Sequence, residues 1–209
     1  MKPILPLALT LLFPMSLCFA EKAAELKPTI SKPGKLLAEE NFDSAALGKA
    51  WKVAKGDWQV VEGGLMGKEK KADNHAGVAF LAQPIHNAIA KFSFKLDGGE
   101  SFSLSLNSPK GHLFRASITP TSISLSKDRD KKDEASKTES LGKAEAKFEA
   151  GHWYTLMLEM LNDKVALQVD NGVKLTAGNP ELDVGKTGLR FVIKGESVAV
   201  DDIKLWGAE

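Results

Sequence analysis

The chain has 209 residues, with 28 Lys and Arg against 27 Asp and Glu and a single cysteine, Cys18. A near-neutral balance without a basic stripe excludes the phosphate-neutralising surface on which nucleic-acid binding rests. One cysteine excludes an internal disulfide framework and a Cys-built zinc site.

At the N-terminus, Lys2 precedes an apolar run from Ile4 to Leu17 that ends in Cys18-Phe19-Ala20 before the charged Glu21-Lys22. This order predicts a secretory signal over residues 1–20, cleaved after Ala20. The run is shorter than the about 20 apolar residues of a membrane span and is interrupted by Pro6 and Pro14, so no span is expected. Leu17 stands where a lipoprotein signal requires a small residue before its cysteine, which leaves that motif incomplete. Cleavage would remove Cys18 and Lys2, leaving a neutral, thiol-free chain in the bacterial periplasm or outside the cell. Residues 21–35 hold two prolines and no apolar periodicity, and are expected to form a flexible tether. One domain over 36–209 follows.

Within that domain the apolar period is 2. Phe92, Phe94 and Leu96 alternate with Ser93 and Lys95, turn at Asp97-Gly98-Gly99-Glu100, and continue as Phe102, Leu104 and Leu106 alternating with serines. Phe114, Ala116 and Ile118 turn through Thr119-Pro120-Thr121 into Ile123 and Leu125. Residues 127–142 are dense in charge of both signs and predict a solvated loop, with a partner-binding arm as the alternative. Tyr154, Leu156, Leu158 and Met160 turn at Asn162-Asp163 into Val165, Leu167 and Val169; Leu189, Phe191, Ile193 and Val198–Trp206 close the chain. Short strands without a long amphipathic helix predict an all-β, two-sheet antiparallel sandwich.

The order of several elements resembles the concanavalin A-like jelly rolls, and more narrowly the secreted bacterial 3-keto-disaccharide hydrolase-like family. They are Asn41-Phe42-Asp43, Trp51, the run Gly56–Leu65, Gly151-His152-Trp153-Tyr154, Val169-Asp170-Asn171-Gly172 and Val200–Leu205. The resemblance implies a jelly-roll sandwich and either saccharide binding or hydrolase or lyase action on a modified (3-keto) disaccharide. The central strand departs from the hydrolase-like pattern, reading Ser101-Phe102-Ser103-Leu104-Ser105-Leu106-Asn107, and the Glu-x-Asp-x-x-Glu of the fold's glucanases is missing. A Gly-x-Ser-x-Gly elbow is missing as well. No catalytic residue is therefore assigned, and catalysis is left open.

Trp51, Trp58, Trp153, Trp206 and Tyr154 are able to stack on sugar rings, but aromatics in alternating strands chiefly fill cores. The polar residues without a core role suit a ligand better. His75, in the loop between Gly67 and Phe80, and Asn107, His112 and Arg115 on the next hairpin would supply donors and acceptors for saccharide hydroxyls if they converge on one open face. Strand parity puts Arg115 opposite in facing to Phe114, Ala116 and Ile118. The competing reading makes His75 and Arg115 ordinary solvated residues.

A last constellation is Asp201-Asp202, where the inward phase changes from Val198 and Val200 to Ile203 and Leu205. Neighbours on a strand face opposite ways and make no acid/base pair. A β-bulge whose carboxylates satisfy backbone donors accounts for them. The alternative is a structural calcium shared with Asn41 and Asp43, for which only some of the required oxygens are visible. No cofactor is otherwise required. The expected ligand is a saccharide, the expected module a secreted carbohydrate-binding β-sandwich, and a purely structural surface domain is the remaining alternative.

Overall fold

The computed structural model describes residues 25–209. The expected signal, 1–20, and the first residues of the expected tether lie outside the described residues.

Fifteen strands follow one another: β1 (Pro33–Glu40), β2 (Trp51–Lys55), β3 (Asp57–Val61), β4 (Gly64–Lys68), β5 (Gly77–Leu81), β6 (Ala88–Leu96), β7 (Gly99–Ser108), β8 (Gly111–Thr119), β9 (Ser122–Lys127), β10 (Glu139–Glu145), β11 (Trp153–Leu161), β12 (Lys164–Val169), β13 (Lys174–Gly178), β14 (Leu189–Gly195) and β15 (Val198–Ala208). They build two antiparallel sheets. The eight-stranded sheet runs β13-β12-β11-β6-β15-β4-β3, with β1 added on β15 beyond β4; the seven-stranded sheet runs β10-β9-β8-β7-β14-β5-β2. The expected all-β jelly-roll sandwich is the observed fold.

The two-residue period explains the layering, because alternate side chains of each strand meet those of the facing sheet. Phe92 and Phe94 on β6 pack on Phe102 of β7, and Phe92 on Phe191 of β14, with ring centroids 5.5–5.9 Å apart. Phe102 and Phe191 stack nearly parallel at 6.0 Å. These rings are fully buried; at about 25 cal/mol per Å² of apolar area, each such side chain contributes roughly 2–3 kcal/mol. A protein without a cross-link depends on that burial.

The expectation that the tryptophans fill the core holds for Trp51 and Trp58 and fails for Trp153, which stands one residue out of phase with the inward Tyr154. Trp51 and Trp58 belong to the core, and Trp58 lies so flat on Gly67 that a Cβ there would stand 2.5 Å from the indole. Trp153 is 39% exposed on the outer face of the eight-stranded sheet, with the Lys95 ammonium 5.2 Å above its ring.

Two expected boundaries shift. The chain is engaged well before Leu36: Lys27 carbonyl accepts from Gln168, Thr29 and Ser31 donate to the Glu159 carboxylate, and Pro33 opens a strand. Two prolines and a lack of periodicity hid this, since the segment is held by hydrogen bonds rather than by an apolar stripe. The charged stretch 127–142 is strand at both ends, with Glu139 paired to Lys127 and Ser140 to Ser126. The excursion between β9 and β10 is thus confined to residues 128–138.

At Asp201-Asp202 the chain forms the anticipated irregularity. The register of β15 on β6 gains one residue between Asp201 and Lys204, Asp202 takes φ +50°, and Val198, Val200, Ile203 and Leu205 all reach the core. Among the described residues, no helix is long and apolar enough to cross a membrane.

Candidate functional site

The outward side chains of the seven-stranded sheet are short in the middle and basic at one end. Inward Leu104 and Leu106 on β7 leave Ser103 and Ser105 facing out, with Ser117, Ser124 and Ser126 beside them on β8 and β9. Register then sets Arg190 of β14 opposite Ser105, Ser105 opposite Arg115 of β8, and Arg115 opposite Ser126. Two arginines therefore flank one serine on the same face. Residues alternate across a strand, so Arg115 points away from the buried Phe114 and Ala116, as its parity requires.

A cavity of about 350 Å³ opens on this row. Its walls include His75, His112, Arg115 and Arg190, with Arg129 and Lys131 arriving from the 128–138 excursion. His75 reaches it from the β4–β5 connection, where Gly56 N–H donates to Asp73 at 2.7 Å and Asn74 adopts a left-handed conformation at the end of a 3-10 turn. Asp73 and Asn74 shape the loop, and His75 is the member presented to the cavity. Asn107 stands behind His112, its Oδ1 3.2 Å from the imidazole Nδ1, and lines an adjoining cavity of about 630 Å³ at the end of the sandwich. His112 and Asp128 are common to both cavities. His75, His112 and Arg115 are thus brought together directly and Asn107 through His112.

Electrostatics at the site are one-sided. Asp128 is paired to Arg115 at 3.2 Å. The contact found for Arg190 is the His112 Nδ1, 3.5 Å from its Nη1. Burial, then the charge of Arg190, holds the His112 imidazole below its ordinary pKa, which favours its neutral form. Arg190 is also pushed down, by burial first and then by Arg115. Ser105 Oγ and Arg115 Nε are buried without a hydrogen-bond partner. At the floor of the larger cavity, Lys127 turns inward and donates to Glu181 at 2.6 Å, which closes that end of the interior.

Sequence reasoning missed Arg190, Asp128, Arg129 and Lys131. Arg190 carried a usable signal, since it sits between Leu189 and Phe191 in the same alternation that flagged Arg115. The other three lay in the stretch read as solvated.

At the second constellation, donors one or two residues away engage the carboxylates of Asp43, Asp201 and Glu40. Asn41 donates to Asp43 at 2.6 Å, Asp202 N–H donates to Asp201 at 2.7 Å, and Phe42 N–H donates to Glu40 at 3.1 Å. Asp201 is raised above its ordinary pKa, by burial first and by the charges of Asp202, Asp43 and Glu40. Among the described residues, no group of three or more His, Cys, Asp or Glu is placed to hold a metal ion.

The sequence matches no protein-family model and no curated protein. Solved structures do match. The carbohydrate binding module CBM66 from Bacillus subtilis superposes with a TM-score of 0.63 at 10% identity, over 76% of this chain and 96% of that one. SCLam, a non-specific endo-beta-1,3(4)-glucanase from family GH16, gives 0.61 at 14% identity, over 86% and 95%. A Bacillus subtilis protein of unknown function with a galectin-like fold gives 0.61 at 10% identity, over 86% and 99%. At such identities the likeness establishes architecture, and the architecture is that of the concanavalin A-like jelly roll.

Proposed function

We propose that this chain is a secreted saccharide-binding module whose binding surface is the basic end of the seven-stranded sheet. The observation that carries the reading is the meeting of His75, His112, Arg115 and Arg190, from three separate segments, around one open cavity. Its volume of about 350 Å³, enlarged by the adjoining space behind His112, suits a small ligand or a short stretch of a polymer. Its walls offer planar donor forks and imidazoles, which match ring hydroxyls. Carbohydrate-binding and carbohydrate-cleaving proteins are among the structural neighbours, which makes saccharide the ligand class to test first. The carboxylates lining the two cavities are engaged, Asp128 by Arg115, Glu181 by Lys127 and Asp130 by the backbone N–H of Lys132, so binding is favoured over hydrolysis.

Secretion enters the proposal through residues 1–20, and binding itself requires no cofactor. Calcium at Asn41, Asp43, Asp201 and Asp202 would be structural, remote from the binding step.

The test is retention of the mature chain, residues 21–209, on immobilised oligosaccharides, followed by calorimetric titration. Arg115→Ala is expected to weaken binding at least about tenfold, the loss of roughly one charge-assisted hydrogen-bonding group. Sugar turnover would instead select the hydrolase or lyase reading, and the absence of both retention and turnover would select a structural surface domain.

A further inference from the structure

The cavity carries more positive charge than the fold uses. Arg115, Arg129, Lys131 and Arg190 line it, with Asp128 as the one carboxylate. Asp128 is already taken by Arg115. Among the described residues, no carboxylate lies within ion-pairing distance of Arg190. Its half-buried guanidinium instead points at the His112 imidazole, beside a second guanidinium held across Ser105.

Desolvated like charges without a counter-ion oppose folding, and a structure that keeps them has left a place for the missing charge. One unsatisfied group on the cavity wall indicates where it belongs. Arg115 Nε, an N–H of the donor fork, is buried without a partner, as is the hydroxyl of Ser105 behind the wall between the two arginines. An oxyanion reaching this row would pair with Arg190 and accept from the arginine forks, whose planar geometry fits the oxygens of a carboxylate or a sulfate ester better than a lone hydroxyl does.

We infer that the ligand of this cavity is an acidic saccharide, held through an anionic substituent that sits between Arg115 and Arg190, with Arg129 and Lys131 at the rim. The inference rests on the saccharide-binding reading and names the class of sugar it takes. Neutral glycans would lack the group that completes the row.

The experiment titrates the mature chain with matched pairs: oligogalacturonate against its fully methyl-esterified form, and sulfated cello-oligosaccharide against the unsulfated one. The charged member of at least one pair is expected to bind roughly tenfold tighter or better, with an advantage that shrinks as salt is raised. The pair that shows the advantage distinguishes carboxylate from sulfate. Arg190→Gln is expected to abolish it while the melting temperature is held or raised.

Equal binding of charged and neutral members, lost in Arg190→Gln, would overturn the acidic class and leave saccharide binding standing. Charge-dependent binding untouched by Arg190→Gln would overturn the location. Failure of every oligosaccharide would overturn both readings. Inorganic sulfate or acetate binding as tightly as the acidic oligosaccharide would overturn the sugar part and keep only an anion site.

Discussion

Arg190 and Lys186 enter the seven-stranded sheet on one stretch of chain, and each is a cation taken out of water. Arg190 lies at the open cavity with Arg115 beside it, so removing its charge relieves repulsion and leaves no buried acid unpaired. Arg190→Gln is therefore expected to raise the melting temperature at low salt, by an amount that fades at high salt, in the manner of sites where function opposes stability. Scanning fluorimetry across a salt series checks this, and a clear fall in stability at every salt would contradict it. Lys186 is different: it is 2% exposed, and its ammonium donates to the His86 carbonyl at 2.9 Å. Burial pushes its pKa down from 10.5 to about 8, against a smaller upward pull from Asp183. Between those two values the unfolded chain holds the proton and the folded chain has lost it, so stability rises with pH through this window. Below about 8 both forms are charged, and the folded form bears the full cost of burial. Lys186→Met is expected to reduce the wild-type rise in stability between pH 8 and 10.5, by at most about 3 kcal/mol. Calorimetry of the two proteins in parallel reads the difference, and identical pH profiles would show that Lys186 is not its source.

At the level of elements, what could be read in advance was whatever a single strand displays. Arg115 and Arg190 each announce their facing through alternation with buried neighbours, and the phase change at Asp201-Asp202 is visible because it is local to one strand. That the two arginines are neighbours was not legible, since it depends on β7 lying between β8 and β14, and Arg190 and the Ser105 it faces are about 85 residues apart in sequence. The excursion 128–138 misled for a related reason. Its charges look solvated, yet Asp128 is spent on Arg115, and Arg129 and Lys131 close over the cavity. Replacing residues 129–137 by a short turn is expected to leave the sandwich intact, since β10 is an edge strand, and to weaken ligand binding severalfold through the lost rim charges. A circular-dichroism melt and a titration on the same variant separate the two effects. The bulge admits a sharper test. Deleting Asp202 would remove the one residue that β15 carries in excess over β6, so that Ile203 and Leu205 fall in regular alternation with Val198 and Val200 and keep facing the core. The variant is expected to fold and to melt close to the wild type, and a circular-dichroism melt showing failure to fold would mean that the bulge itself is required. Asp201→Asn keeps the bulge and removes a carboxylate held above its usual pKa by burial and by Asp202, Asp43 and Glu40. The penalty of a raised folded pKa is present while both states are ionised and vanishes as the folded carboxyl takes up its proton, so this variant should gain stability at pH 7 and lose that advantage as the pH falls through the raised folded value to the ordinary aspartate range.

Taken as a whole, the molecule treats its two outer surfaces differently, and the N-terminal segment is the cause on one side. The seven-stranded sheet presents serines and the basic cavity. On the eight-stranded sheet, Ile89, Met157, Glu159 and Ala166 fall on the outward phase of their strands and are nevertheless buried. Residues 27–31 account for this, since they are fastened over that surface through Glu159 and Gln168. The Glu159 carboxylate accepts from the backbone N–H groups of Thr29, Ile30 and Ser31 and from the hydroxyls of Thr29 and Ser31, at 2.8–3.1 Å. Nothing in the composition of 21–35 foretold this, because its partner is a lone glutamate about 130 residues away. Residues 27–31 are thus fixed to the sheet opposite the cavity. The consequence is testable as a separation of stability from binding. A chain starting at Lys32 leaves Glu159 without its donors and uncovers Ile89 and Met157, so it should melt lower, by about 1–3 kcal/mol of lost hydrogen bonding and burial, while saccharide affinity is unchanged. Glu159→Ala in the mature chain should release the same segment, seen as loss of amide protection over residues 29–31 and as new protease cleavage before Pro33. Because both changes remove one fastening, truncation and Glu159→Ala combined should cost no more than the larger alone. Additive losses would mean that Glu159 is needed by the sheet itself, and weakened binding in either variant would mean that the two surfaces are not independent.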